Sequence, residues 1–272
     1  MSSTKDQWSV AAYSASASFV PKLTQKLLSY LAPQPTDKIL DVGCGDGKFT
    51  ASFLPVVGSV LGIDASPAMI ESAKKDYNDP KAEWRVVDCR YLDKEGTIVN
   101  GSWDKVISNA ALHWILRDSP TRMNTFRAIH DSLKPGGAFV FEMGGHGNVP
   151  EVMTALIYTL VQHGVPAEKA KAANPWFFPS EAWMRDALES IGFQVDEMEI
   201  EYRPTKLTSE ANGGLAGWIK LMGASFLDVL PEEKQDVAVR QICEILEPVV
   251  TREEDGSQWL GYVRLRGIAT KI

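Results

Sequence analysis

Three cysteines, four histidines and no long apolar run narrow the possibilities for this 272-residue chain before any motif is read. Cys44, Cys89 and Cys243 lie far apart with no C-x-x-C pair, which argues against a disulfide framework and a zinc site, so no metal is expected. No uninterrupted apolar stretch approaches the ~20 residues that a bilayer-spanning helix needs. The residues before Trp8 are polar and lack the apolar core of a signal peptide. Positive charge is in deficit: 28 Lys and Arg stand against 35 Asp and Glu, a formal charge of −7, and no basic cluster marks a surface for a polyanion. The expectation is a cytoplasmic protein with a small-molecule partner, no nucleic acid and no membrane, present as a monomer or dimer. With 44% apolar residues the chain can bury a full core, as one domain with an elaboration.

Against these deficits stands one dense signal. Ile39-Leu40-Asp41-Val42 reads as a buried strand, and Gly43, Gly45 and Gly47 then let the backbone turn tightly into a helix. With no side chains at these positions a ligand can approach the main chain, and the amides opening the helix favour an anionic group. Lys48 occupies the place of the third glycine in the dinucleotide fingerprint G-x-G-x-x-G, which counts against a nicotinamide-dependent dehydrogenase. An acid two residues before G-x-G-x-G instead resembles the first motif of the class I S-adenosylmethionine-dependent methyltransferases.

Apolar runs alternate with amphipathic stretches through the first half, the pattern of a parallel sheet with helices on both faces. Strands are expected at Lys38–Val42, Ser59–Asp64, Ala82–Val87, Trp103–Ser108 and Gly137–Met143. Ser66 and Pro67 mark one helix start, and a helix over Arg122–Leu133 stops at Lys134-Pro135-Gly136-Gly137. Further on, helices are predicted at Val149–His163, Glu181–Ile191 (capped by Ser180, closed by Gly192), Ser209–Leu230 and Glu232–Val250. Strands are predicted at Phe193–Arg203 and Trp259–Ala269, with an aromatic loop at Asn174–Pro179. The division expected is an N-terminal helical segment 1–36 closing over the cofactor, an α/β cofactor-binding core 37–145, and a region 146–272 of lid helices plus a terminal strand pair.

Ligands of open α/β sheets sit beyond the carboxyl ends of the strands. Asp64 closes the second strand 23 residues after Asp41, where a carboxylate can accept both ribose hydroxyls, each such bond being worth roughly 1.5–3 kcal/mol. Asp88, after the third strand, can accept from the adenine amine; either acid can also be a plain turn former. Asp41 would hold the glycine loop and reach toward the cationic methionine end of the cofactor. Met69 and Ile70 lie where they would pack on the adenine ring or belong to the core. The fourth strand runs into Ser108-Asn109-Ala110-Ala111-Leu112-His113-Trp114, the edge that should face the methyl group. No D/N-P-P-Y/F motif stands there, which counts against a nucleobase target.

The chain resembles class I methyltransferases over nearly its whole length and, more narrowly, the trans-aconitate methyltransferase-like group of small-molecule enzymes. The phrases that carry this are Gly62-Ile63-Asp64-Ala65-Ser66-Pro67-Ala68-Met69-Ile70, Asn109-Ala110-Ala111-Leu112-His113-Trp114 and Leu133-Lys134-Pro135-Gly136-Gly137. Gly144-Gly145-His146-Gly147-Asn148 and Tyr262-Val263-Arg264-Leu265-Arg266 belong with them. The resemblance implies a Rossmann-like class I methyltransferase fold with a mostly parallel seven-stranded sheet and a helical lid, and S-adenosyl-L-methionine as cofactor. Gly43, Gly45, Asp64, Asp88 and Asn109 would carry the cofactor, with Cys44, Ala65, Cys89, Arg90 and Ala110 beside them and Trp8 or Tyr13 closing over its methionine end. Members tend to have Gln where His113 stands, and a tricarboxylic acid needs several basic partners, for which only Arg264, Arg266 and Arg90 offer themselves.

Methyl transfer needs alignment of the nucleophile and exclusion of water; a base is needed only for a hydroxyl acceptor, since a carboxylate is already ionised. His113 and His146 are the candidates for base or substrate contact, against the alternative of packed histidines; His130 and His163, near helix C-termini, read as structural. Trp114, Trp176, Phe177, Phe178 and Trp218 would line an apolar acceptor pocket or form the lid's own core. The reading is methyl transfer to an oxygen of a small organic molecule, a carboxylate before a hydroxyl. The alternative is a catalytically silent cofactor-binding regulator.

Overall fold

Runs rich in Val, Ile and Phe, bounded by Asp, Gly or Asn, become the strands of one seven-stranded sheet in this computed structural model, which describes residues 24–209 and 213–272. The strands are β1 (Lys38–Val42), β2 (Ser59–Asp64), β3 (Ala82–Val86), β4 (Trp103–Asn109), β5 (Leu133–Gly144), β6 (Phe193–Lys206) and β7 (Trp259–Lys271). Their order is β3-β2-β1-β4-β5-β7-β6. The pairs β1/β2, β2/β3, β1/β4 and β4/β5 are parallel and β5/β7 is antiparallel. The chain walks outward from β1 to β3, then crosses to β4 on the other side of β1, so the order reverses between β1 and β4. That reversal is where an open sheet leaves a crevice at its carboxyl edge. Trp8, Tyr13 and the rest of segment 1–23 lie outside the described residues.

The helices are α1 (Gln25–Leu31), α2 (Lys48–Ala51), α3 (Pro67–Asp76), α4 (Leu112–Ile115), α5 (Ser119–Ser132), α6 (Pro150–Gln162), α7 (Ala167–Ala172), α8 (Glu181–Glu189), α9 (Gly214–Met222), α10 (Ala224–Leu227) and α11 (Glu232–Val250). Local chemistry sets several ends: Ser66 Oγ accepts from Met69 N (3.2 Å) with Pro67 at the first position, and Ser180 Oγ accepts from Trp183 N (3.2 Å). Two expectations need correcting. The fifth strand begins at Leu133 rather than Gly137, because the register jumps from Trp103↔Leu133 to Lys105↔Ala138 and absorbs the Pro-Gly-Gly residues in a bulge. The helix expected over Ser209–Leu230 breaks at Gly223 into α9 and α10.

The chain divides into two compact units. One comprises, of the described residues, 24–146, 176–201 and 264–272. The central strands β1, β4 and β5 of its sheet are buried on both faces, as parallel strands require. Leu40, Val42, Val106, Phe139 and Phe141 point to the side of α5 and α8, while Ile39, Val60, Ile107 and Val140 meet Leu27 and Leu31 of α1 and Phe53. The alternation of residues 39/40, 106/107 and 139/140 is the two-residue period of a strand. The other unit comprises 147–175, 202–209 and 213–263: helices α6, α7 and α9–α11 around Leu156, Leu160, Ile219, Phe226, Ile242 and Leu246. Among the described residues no helix is long and apolar enough to cross a membrane.

Candidate active site

The glycine loop follows from the turn it must make. Gly43 N and Cys44 N both donate to the Ile63 carbonyl (2.8 and 3.0 Å), which folds the chain over the end of β2. Gly43 has φ +79°, and a Cβ there would lie 2.2 Å from Ala111 Cβ, so the loop is pressed against the turn after β4. Gly45, at φ +56°, has nothing within 4 Å of where its Cβ would stand; its backbone is open to a ligand. Beneath the loop Asp41 is 1% exposed. Its Oδ2 accepts from Thr50 Oγ1, while its Oδ1 has no hydrogen-bond partner among the described residues. Burial raises the Asp41 pKa to about 7; the Thr50 hydroxyl opposes this and the nearby Asp64 charge adds to it.

Asp64 ends β2 half-buried. Its Oδ2 accepts from Gly45 N (3.0 Å) and its Oδ1 from Ser66 N (2.9 Å), so it ties the loop to the start of α3. Ala65 is exposed beside it, whereas Met69 and Ile70 are buried, Ile70 in a cluster with Cys44, Ala73 and Trp84. Asp88 accepts from the backbone N of Arg90 (3.1 Å) and is gripped by its guanidinium at 2.6–3.1 Å; the same guanidinium reaches Asp118 (3.0 Å). Burial works to raise the Asp88 pKa, but the Arg90 contacts win and hold it below the usual carboxylate range. Arg90 is thus a partner of the acid expected to meet adenine. Cys44 and Cys89 are buried, and burial pushes both thiols well above their usual pKa, so they pack as small apolar groups.

After β4 the chain enters a strained turn. Ser108 Oγ donates to the Val42 carbonyl (2.7 Å), Asn109 Oδ1 is buried without a hydrogen-bond partner among the described residues, and Ala110 adopts φ +55° with its N donating to the Glu142 carbonyl (2.7 Å). One turn later His113 is 8% exposed. Its Nδ1 accepts from Gly144 N (3.3 Å), and its carbonyl accepts from Phe177 N (2.9 Å). Burial first, and the Arg264 charge second, push its pKa well below the usual histidine value. The ring is therefore neutral, and its hydrogen bond assigns the proton to Nε2.

Aromatic rings surround this histidine: Trp114 at 5.6 Å and Phe178 at 5.7 Å between centroids, with Trp176 at 5.7 Å from Trp114 and near-parallel to Phe178. Phe177 is different. It packs edge-on to Trp183 at 4.8 Å and carries the Arg122 guanidinium 3.5 Å over its ring, so the structure uses it as core. Trp218, in the helical unit, is 2% exposed and donates its indole N–H to Tyr262 Oη (2.6 Å). His146 is exposed, and its backbone N–H donates to the Pro179 carbonyl (2.8 Å). His130 contacts Asp131 and stands edge-on to Phe193, and His163 bonds Gln241, both structural. Arg264 is buried and donates from Nε to Glu142 Oε1 (3.1 Å), and Glu142 Oε2 accepts from Arg266 Nε (2.9 Å).

Sequence reasoning passed over Glu142 and Gly144. The signal was present for Glu142: a single acid inside the apolar run Phe139–Met143 has to be paired with a buried cation.

The residues present fit a cationic nucleoside. A carboxylate stands at the end of β2 for vicinal hydroxyls, an open backbone at Gly45 permits close approach, and the unpartnered Oδ1 of buried Asp41 suits an ammonium. These are the parts that S-adenosylmethionine would require. Comparison with known proteins points the same way. A family model described as a methyltransferase domain matches residues 39–137. An uncharacterized methyltransferase of Schizosaccharomyces pombe is 36% identical over 267 residues, 98% of this chain and 99% of that protein. The trans-aconitate 2-methyltransferase of an Azoarcus species is 23% identical over 93% of this chain and 96% of its own length. Among solved structures, an S-adenosylmethionine-dependent methyltransferase of Methanosarcina mazei matches with a TM-score of 0.55 at 18% identity, covering 92% of this chain and 98% of that one.

Proposed function

This chain belongs to the S-adenosylmethionine-dependent methyltransferases, and from that premise we propose that the group it methylates is a carboxylate oxygen of a small organic acid. The cofactor, when bound, supplies an electrophilic methyl group on a sulfonium centre. Asp64 would accept from the ribose hydroxyls, Asp41 would take the ammonium, and Asn109, Asp88 and the backbone at Gly45 would complete the binding.

The observation that carries the acceptor class is the state of His113. A hydroxyl nucleophile needs a base within reach. His113 Nδ1 is engaged by Gly144 N–H, Nε2 holds the ring's proton, and burial beside Arg264 opposes a second one. This imidazole donates. A carboxylate, ionised at neutral pH, needs no base and accepts a hydrogen bond from such a donor. Trp114, Trp176 and Phe178 would keep water from the nucleophile and hold it in line, an arrangement worth roughly 7–11 kcal/mol in the best intramolecular cases. The formal charge of −7 favours a small acceptor over a nucleic acid, and the trans-aconitate 2-methyltransferase relative is named for an acid.

The test is transfer of tritium from methyl-labelled S-adenosylmethionine to a panel of organic acids and phenols, followed by mild alkali. Methanol released by alkali is expected. Alkali-stable label in the product would overturn the carboxylate reading.

A further inference from the structure

Among the described residues Asp88 accepts from three N–H groups, and all three belong to Arg90. The backbone N bonds Oδ1 (3.1 Å), Nε reaches Oδ1 and Oδ2 (2.9 and 3.1 Å), and Nη2 bonds Oδ2 (2.6 Å). A carboxylate has about four acceptor positions, so Arg90 leaves one. The end of β3 lies against the glycine loop: Val87 N donates to the Asp64 carbonyl (2.9 Å), and the Cys89 thiol contacts the backbone of Gly43. Val87 and Cys89 are buried, whereas the Asp88 side chain between them is 35% exposed. Asp88 thus stands beside the acid assigned to the ribose, with its carboxylate open to a ligand.

Arg90 is fixed from its far side as well. Its Nη1 donates to Asp118 Oδ2 (3.0 Å). Asp118 stands at the N-cap of α5, where an aspartate ordinarily accepts from an amide of the first turn. Among the described residues its side chain makes no such cap; it turns to Arg90, with Arg117 Nε 3.7 Å from its other oxygen. The guanidinium is stretched between carboxylates on two elements, so it cannot turn about Asp88 without breaking a charge-assisted bond. Two acids and two arginines cancel, and the cluster offers no net charge to a cation. It offers one fixed anionic acceptor, which suits a neutral N–H.

We propose that Arg90 is a positioning residue that aims the remaining acceptor position of Asp88 at the exocyclic amine of the cofactor's adenine. A half-exposed carboxylate without such a fork turns about its side-chain bonds and loses that freedom only on binding; the fork removes it beforehand. Recognition of a 6-aminopurine therefore depends on Arg90 as well as on Asp88. The inference rests on Asp88 meeting adenine, and it is independent of the methyl acceptor.

The experiment titrates S-adenosylhomocysteine and its analogue lacking the 6-amino group into wild type, Asp88→Ala, Arg90→Lys and Arg90→Gln, by calorimetry. The ratio of the two dissociation constants on one variant isolates the amine and cancels any general loss of folded protein. In the wild type the amine should improve binding about 10-fold or more, the size of one charge-assisted hydrogen bond. Asp88→Ala should bring the ratio to within about 2-fold. Arg90→Lys keeps the charge without the fork and Arg90→Gln keeps neither. Both should lower the ratio to about 3-fold or less, chiefly by weakening the adenine compound. A wild-type ratio kept in either Arg90 variant, while Asp88→Ala abolishes it, would overturn the role of Arg90 and leave the adenine placement standing. A wild-type ratio near 1, or one that Asp88→Ala leaves unchanged, would overturn that placement and this inference with it.

Discussion

Asp41 is the residue at which stability and the proposed cofactor contact pull in opposite directions. Its pKa is raised from 3.8 to about 7 by burial, so the folded protein holds a proton there that the unfolded chain releases near pH 4. Stability from this group is fully present below pH 4 and is lost as pH rises through 7, for a total on the order of 4 kcal/mol before relaxation. Asp41→Asn should therefore raise the melting temperature at pH 8 and leave it nearly unchanged at pH 4, a comparison made by scanning calorimetry without cofactor. The same variant should weaken S-adenosylmethionine binding, and wild-type binding at pH 6 should release a proton, measurable from the buffer dependence of the calorimetric enthalpy. Asp64 is different: its two oxygens accept from Gly45 N and Ser66 N, and Asp64→Asn keeps the shape and one acceptor but turns the other oxygen into a donor and removes the charge. A loss of cofactor affinity of about 10- to 100-fold with a small change in melting temperature is expected. Both acids were legible in the sequence because strand-end position is a local property; the protonation state of Asp41 depends on burial and was not.

At the scale of elements, the glycine loop and the turn after β4 behave as one piece. The Cβ of an alanine at 43 would stand 2.2 Å from Ala111 Cβ on a backbone at φ +79°, so Gly43→Ala should destabilise by about 3–5 kcal/mol, read as a lowered urea midpoint. Ala110 pays for its φ of +55° on the other side of that contact. Ala110→Gly should stabilise the protein by about 1 kcal/mol, visible in the same titration. The strands β1 and β2 and helix α11 fall where the apolar period places them, because burial on one or both faces is written residue by residue. The start of β5 and the break at Gly223 were missed: a bulge is set by the neighbouring strand β4, and the apolar period running on past Gly223 outweighed the local stop signal that a glycine carries.

At the scale of the whole molecule, the sheet's antiparallel side is held by charge. Arg266 is 1% exposed and bound to Glu142, Glu199 and Glu201, one residue from each of three places on β5 and β6. Arg266→Met would leave those carboxylates without their shared cation and should cost about 3–5 kcal/mol, measured by chemical denaturation. Sequence alone determined the sheet class, the glycine loop, the acids at the strand ends and the cofactor family, since each depends on residue type and spacing along a few neighbouring positions. The tertiary structure decided how the candidate residues are held. Gly144 fixes the tautomer of His113 from 31 positions away, Glu142 claims Arg264 from 122, and Phe177 turns to Trp183 and Arg122 and becomes core. Hydrogen-bond direction and charge pairing are properties of atoms brought together in space, and spacing along the chain does not carry them.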